Sequence, residues 1–159
     1  MMYSVMLVDN EPIIPKGLMK LIDWRSCDCQ ISAVARDGID AVRQIREQAP
    51  DILITDIRMP EMDGLQLCAW VREHCPRTQI ILLTGFPDFE YAQQAIRYNV
   101  KDFFVKPVRH QDLMLSFLKL KEELDRQNFP SQTPALEKTA VPRRSSETCC
   151  WNSSCFWER

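Results

Sequence analysis

The feature that most constrains this chain is an alternation between residues 3 and 127. Five short apolar runs, Tyr3 to Val8, Ile31 to Ala35, Ile52 to Thr55, Ile80 to Leu83 and Phe103 to Val105, are separated by longer stretches with helical spacing. Strand-length runs alternating with helices predict βαβ units around a parallel sheet. Most of the runs are rich in Val, Ile, Leu or Phe rather than strictly alternating, as strands covered by helices on both faces require. The intervening stripes are Ile14, Leu18 and Leu21; Val42 and Ile45; Leu67, Cys68 and Val71; Phe89, Ala92, Ala95 and Ile96; and Leu113, Phe117, Leu120 and Leu124. Asp37, Asp63 and Asp88 stand ahead of the second, third and fourth stretches, where a carboxylate caps free backbone N–H groups.

With 159 residues, 45% hydrophobic and 26% charged, the chain accommodates one ordinary domain plus a tail. The reading places a domain over 1–127 and a linker with an unassigned tail over 128–159. Pro130, Pro134 and Pro142 sit among Ser, Thr and charged residues, and the last fifteen residues hold three cysteines and two tryptophans without any usable period. The tail is read as disordered, as the remnant of a longer protein cut short, as the scar of a shifted reading frame, or as a true end. A net charge of -2 offers no basic face for nucleic acid, so no direct DNA contact is expected from this chain. No apolar run approaches the ~20 residues that span a bilayer, and no signal peptide opens the chain, so a cytoplasmic protein without membrane contact is expected. Seven cysteines at irregular spacing make neither a disulfide framework nor a zinc site with His74 and His110; reduced thiols are expected.

The chemistry is carried by polar residues at the ends of the apolar runs: Asp9 after the first, Asp56 after the third, Thr84 after the fourth and Lys106 after the fifth. In an open parallel sheet these share the carboxyl edge, where ligands bind near the reversal of strand order. Two carboxylates gathered there repel each other unless a cation lies between them, and oxygen donors on loops suit Mg²⁺. Lys106 adds a fixed positive charge and Thr84 a hydroxyl, the groups that a phosphoryl oxygen needs during transfer. A carboxylate nucleophile then forms an acyl phosphate.

At these residues the sequence resembles the receiver domains of two-component response regulators. The likeness covers about residues 2–126 and rests on Val8-Asp9-Asn10-Glu11, Thr55-Asp56-Ile57-Arg58-Met59-Pro60 through Asp63-Gly64, Thr84-Gly85 and Lys106-Pro107. Ile22-Asp23-Trp24, the Thr55 to Pro60 phrase and Asp88-Phe89-Glu90-Tyr91-Ala92 resemble the subgroup usually fused to AraC-type DNA-binding domains. The resemblance implies a doubly wound, flavodoxin-like (CheY-like) sheet of five parallel strands in the order 2-1-3-4-5. It also implies a signalling domain rather than an enzyme.

Carried over by position, Asp56 takes the phosphoryl group from the phosphohistidine of a sensor histidine kinase. Mg²⁺ (or Mn²⁺) is held by Asp9, Asn10, Asp56 and the backbone carbonyl of Arg58. Asn10 stands where the family usually has a second acid, so weaker metal binding is expected, with Glu11 compensating only in part. Lys106 pairs with Asp56 before transfer and with the phosphoryl group after it, and the Lys106-Pro107 bond is expected to be cis. Thr84 swings toward the phosphoryl group, and Phe103 fills the space it leaves; plain core is the competing reading of Phe103. Arg58 and Phe86 are expected to tune hydrolysis at the pocket mouth, against the reading that both are exposed loop residues.

Three other readings remain open. A phosphohydrolase of the haloacid dehalogenase type also uses an aspartate nucleophile, but places a second Asp two residues on, where this chain has Glu11 after Asn10. A DNA-binding regulator needs a helix-turn-helix pair that does not fit after residue 127, so output would lie in a longer parent protein or another chain. A degenerate receiver, suggested by Asn10, would bind partners without phosphorylation. The spacing of Leu113, Phe117, Leu120 and Leu124 allows a homodimer seam along the fifth helix, set against core packing.

Overall fold

The computed structural model describes residues 1–129. Ten elements alternate along the chain: β1 (Tyr3–Val8), α1 (Ile13–Leu21), β2 (Cys29–Ala35), α2 (Gly38–Glu47), β3 (Ile52–Asp56), α3 (Gly64–His74), β4 (Gln79–Thr84), α4 (Phe89–Arg97), β5 (Asp102–Val105) and α5 (His110–Asn128). All strand pairs are parallel, in the order β2-β1-β3-β4-β5. The expected fold is thus the observed one. The tail with Cys149, Cys150 and Cys155 lies outside the described residues.

Burial explains the strand compositions. β3 and β4 are buried along their whole length, and β1 at every residue but Ser4, because helices cover both faces of these central strands. Successive side chains alternate between two cores. Tyr3, Val5, Leu7, Ile52, Ile54, Ile81 and Leu83 meet Leu18 of α1 and Leu113, Phe117, Leu120 and Leu124 of α5 on one face. Met6, Val8, Leu53, Ile80 and Leu82 meet α2, α3 and α4 on the other. β2 is an edge strand with Gln30, Ser32 and Val34 exposed, and backbone pairing with β1 from Tyr3↔Cys29 onward starts it two residues before its apolar run.

The expected aspartate caps are present. Asp37 accepts from the Asp40 N–H, Asp63 forms a capping box with Gln66, and Asp88 accepts from the Glu90 N–H. α4 ends with Asn99 in the left-handed region at φ 51°, and the Val100 N–H donates to the Ala95 carbonyl across that turn. Arg72 of α3 then donates to the carbonyls of Tyr98, Asn99, Pro76 and Thr78, holding the α4–β5 connection against α3.

Three sequence readings need correction. Leu21, read into the first helical stripe with Ile14 and Leu18, is 52% exposed at the end of α1 and takes no part in the core. The stripe Phe89, Ala92, Ala95 and Ile96 does not face the core as a unit: Phe89 and Ile96 are 75% and 78% exposed, and α4 is buried through Ala95 with Tyr91 and Ala92 half-buried. Four apolar residues on a nine-residue helix fit more than one face, and only packing selects between them. The dimer seam on α5 is also withdrawn, because Leu113, Phe117, Leu120 and Leu124 are all buried in the intramolecular core. Among the described residues, no helix is long and apolar enough to cross a membrane. Cys27, Cys29, Cys68 and Cys75 are free thiols, and burial pushes those of Cys29 and Cys68 up to about 12.

Candidate functional site

β1 pairs with β2 on one side and β3 on the other, so chain connections leave the carboxyl ends of β1 and β3 in opposite directions. The register sets Val8 beside Thr55, and the next residues, Asp9 and Asp56, therefore come side by side. Both are nearly buried, at 5% and 6% exposure. Each carboxylate is fixed by a neighbouring backbone amide: the Glu11 N–H donates to Asp9 Oδ1 at 2.9 Å, and the Ile57 N–H to Asp56 Oδ1 at 2.8 Å.

Gly64 packs directly beneath Asp56. A Cβ at Gly64 would lie 1.9 Å from the Asp56 carbonyl oxygen, closer than any real contact, and the Gly64 N–H donates to the Ile57 carbonyl at 2.8 Å. The start of α3 thus abuts the end of β3, and only a residue without a side chain allows that approach. Sequence placed Gly64 in the motif without this reason.

Lys106 reaches the same point from β5, which is tied to β4 by the Lys106 N–H donating to the Thr84 carbonyl at 2.7 Å. Its Nζ lies 2.7 Å from Asp9 Oδ2 and 3.4 Å from Asp56 Oδ2. The Lys106-Pro107 peptide bond is cis, as expected. Burial, above all, raises the Asp56 pKa, with the Asp9 charge adding to the rise and Lys106 opposing it. Burial pulls Lys106 the other way, but its bond to Asp9 and the two carboxylate charges hold its pKa above the ordinary lysine value.

Thr84 ends β4, fully buried, with its hydroxyl turned into the following loop. It donates to the Phe86 carbonyl and accepts from the Phe86 N–H, both at 3.1 Å. Phe103 is half-buried against the α2–α3–α4 core, so the position read as a switch also serves as core. Arg58 and Phe86 are both exposed, yet they are not independent loop residues: the guanidinium sits 3.8 Å from the centre of the Phe86 ring. Arg58 Nε also donates to the Tyr91 hydroxyl at 3.3 Å. In the sequence Tyr91 stands out only as part of the Asp88 to Ala92 phrase; a tyrosine at a half-buried helical position commonly directs its hydroxyl to a polar partner.

Asn10 is exposed and lines a surface pocket with Ile57, Arg58, Asp63 and Tyr91, formed by residues that follow Asp9 and Asp56 in the chain together with one of α4. Among the described residues, no three His, Cys, Asp or Glu side chains gather into a metal-holding group. The side-chain acceptors that meet at the Lys106 ammonium are both carboxylate oxygens, from Asp9 and Asp56. That chemistry fits a hard divalent cation and does not suit a thiolate-preferring metal.

Comparison with known proteins agrees with this geometry. The family model described as response regulator receiver domain matches residues 5–117. The chain is 39% identical over 134 residues to the transcriptional regulatory protein YesN of Bacillus subtilis, covering 84% of this chain and 36% of YesN. It is 35% identical over 113 residues to the transcriptional regulatory protein HptR of Staphylococcus aureus, covering 70% of this chain and 44% of HptR. The chain therefore spans less than half the length of these relatives. Among solved structures, the receiver domain of AraT, a response regulator from Geobacillus stearothermophilus, superposes with a TM-score of 0.76 at 38% identity, covering 80% of this chain and 99% of that one. This chain belongs to the response regulator receiver domain family.

Proposed function

We propose that Asp56 is the phosphoacceptor of this two-component receiver domain. The observation that carries the reading is the buried Asp56 carboxylate beside Asp9, with the Lys106 ammonium 3.4 Å away. An Asp56 oxygen bonds to phosphorus while the bond from phosphorus to the donor breaks. In a kinase donor the imidazole nitrogen of phosphohistidine leaves with the electron pair; in acetyl phosphate, acetate does. Lys106 balances charge on the phosphoryl oxygens, and the Thr84 hydroxyl donates to one of them once it turns from Phe86. Phe103 follows into the space vacated by Thr84. Arg58 and Phe86 flank the mouth through which water reaches the acyl phosphate.

Asp9, Asn10, Asp56 and the Arg58 carbonyl would hold Mg²⁺ or Mn²⁺, which supplies further neutralisation of the phosphoryl charge. The partner that donates phosphate is a sensor histidine kinase in the cytoplasm. Output belongs to a longer regulator, read as one with an AraC-type DNA-binding domain; the lengths and regulatory names of YesN and HptR support this reading. The domain is a switch rather than a turnover catalyst, and any homodimer would use a surface other than the buried α5 stripe.

Incubation with acetyl phosphate and millimolar Mg²⁺ tests the proposal. A mass gain of one phosphate that is absent in Asp56→Ala supports it. No gain in the unmodified protein sinks it and favours the second reading, a degenerate receiver, which Asn10 motivates.

A further inference from the structure

We propose that Tyr91 is a positioning residue for phosphoryl transfer, acting through Arg58 and Phe86 as a latch that holds Thr84 away from Asp56. The inference rests on Asp56 being the phosphoacceptor. Three segments meet in this latch: Arg58 from the β3–α3 loop, Phe86 from the β4–α4 loop and Tyr91 from α4. The Arg58 guanidinium lies 3.8 Å from the Phe86 ring centre and 5.9 Å from that of Tyr91. Its Nε donates to the Tyr91 hydroxyl at 3.3 Å. A long, exposed arginine side chain is otherwise free to rotate, so an aromatic face and a hydroxyl together hold it in one place.

The consequence for Thr84 follows from the backbone of Phe86. Both polar groups of that residue are bonded to the Thr84 hydroxyl, at 3.1 Å each. Thr84 cannot turn its hydroxyl toward a phosphoryl group on Asp56 without breaking both bonds and releasing Phe86. The Phe86 ring, however, is stacked on Arg58, and Arg58 is tied to Tyr91. Tyr91 is anchored in its turn, because it packs against the core shared by α2, α3 and α4, the same core that receives Phe103. The contacts of the latch therefore favour the unphosphorylated arrangement of residues 84–86. Interactions that stabilise one of two states shift the population toward it, and their removal shifts it back. The latch also connects α4 directly to the loop that follows the phosphoacceptor.

The test compares the rate of Asp56 phosphorylation by acetyl phosphate and Mg²⁺ in the unmodified protein, Tyr91→Phe, Thr84→Ala and the double variant. Tyr91→Phe keeps the ring and its packing and removes only the hydroxyl; circular dichroism and thermal melting check that the fold is kept. Loss of one hydrogen bond from the resting state predicts a rate higher by roughly threefold to tenfold. Beryllium fluoride, which mimics the phosphoryl group on a carboxylate, should bind more tightly by a similar factor. In the Thr84→Ala background the Tyr91→Phe substitution should change neither quantity, since no hydroxyl remains to be held back. A Tyr91→Phe rate equal to or below that of the unmodified protein overturns the latch while leaving the phosphoacceptor reading intact. The same holds for an increase that persists without Thr84. If the unmodified protein takes no phosphate on Asp56, both proposals fall.

Discussion

The ammonium of Lys106 donates to Asp9 at 2.7 Å, joining a residue after β5 to one after β1 across the two strands, β3 and β4, that lie between them. Asp56 stands farther from the same nitrogen, at 3.4 Å. Lys106 is thus the cation shared by two buried carboxylates, rather than the partner of the nucleophile alone. Without it, Asp9 and Asp56 would face each other unbalanced, and the Asp56 carboxyl would rise further and lose ionised nucleophile. Lys106→Ala should therefore slow acyl phosphate formation from acetyl phosphate by at least about tenfold. An unchanged rate, followed by mass spectrometry, would remove Lys106 from the proposed chemistry.

Asn10 leaves its surface pocket with an amide where a carboxylate would add a negative charge. Asn10→Asp should tighten Mg²⁺ binding by about tenfold, as added charge near a hard cation raises affinity. Isothermal titration calorimetry measures this without reference to phosphorylation. Equal affinities in the two proteins would mean that position 10 lies outside the reach of the ion.

The α5 leucines are core residues, which sets what their truncation does. Leu120 is 2% exposed and Leu124 5%, both on the face shared with Tyr3, Val5 and Leu7. Leu120→Ala should cost about 2–5 kcal/mol of unfolding free energy, the usual range for emptying such a site. Sedimentation should show the same oligomeric state before and after. A change in assembly at unchanged stability would restore the intermolecular seam.

Tyr3 links the first strand to the last helix, its hydroxyl donating to Asp125. Burial first, and this bond second, raise its pKa above the ordinary value of 10. Because the folded value is the higher one, the unfolded chain loses its tyrosine proton first. The stability contributed is full below about pH 10 and is lost as pH climbs toward the raised folded value. Tyr3→Phe should lower stability at neutral pH by about 1–2 kcal/mol and flatten the decline above pH 10. Urea melts from pH 8 to 11 compare the two slopes, and parallel slopes would contradict the assignment.

Much of the fold was legible because period and burial are tied by covalent geometry. A chain with Val5-Met6-Leu7-Val8 or Ile52-Leu53-Ile54 must cover both faces of those strands, and Asp37, Asp63 and Asp88 cap the helices that do so. The strand ends are where pattern reading fell short: Asp56, Thr84 and Asp102 are polar, yet ladder pairing keeps them in the sheet. The outward direction of Phe89 and Ile96 was likewise hidden, since a short helix with apolar residues on several faces has no unique inner side until it is packed.

By itself, the sequence determined the alternation of strands and helices and the placing of Asp9, Asp56, Thr84 and Lys106 at strand ends, because those properties are local to each segment. The tertiary structure alone decided how these residues meet. Lys106 is 97 positions from Asp9, and Arg58 is 33 from Tyr91, so their contacts depend on strand order, register and loop paths. The sharing of Lys106 between two acids, the close approach of Gly64 under Asp56 and the clasp of Arg58 by Phe86 and Tyr91 all arise at that level. No local pattern encodes a distance between segments that come together only when the sheet closes its ladder and the helices pack upon it.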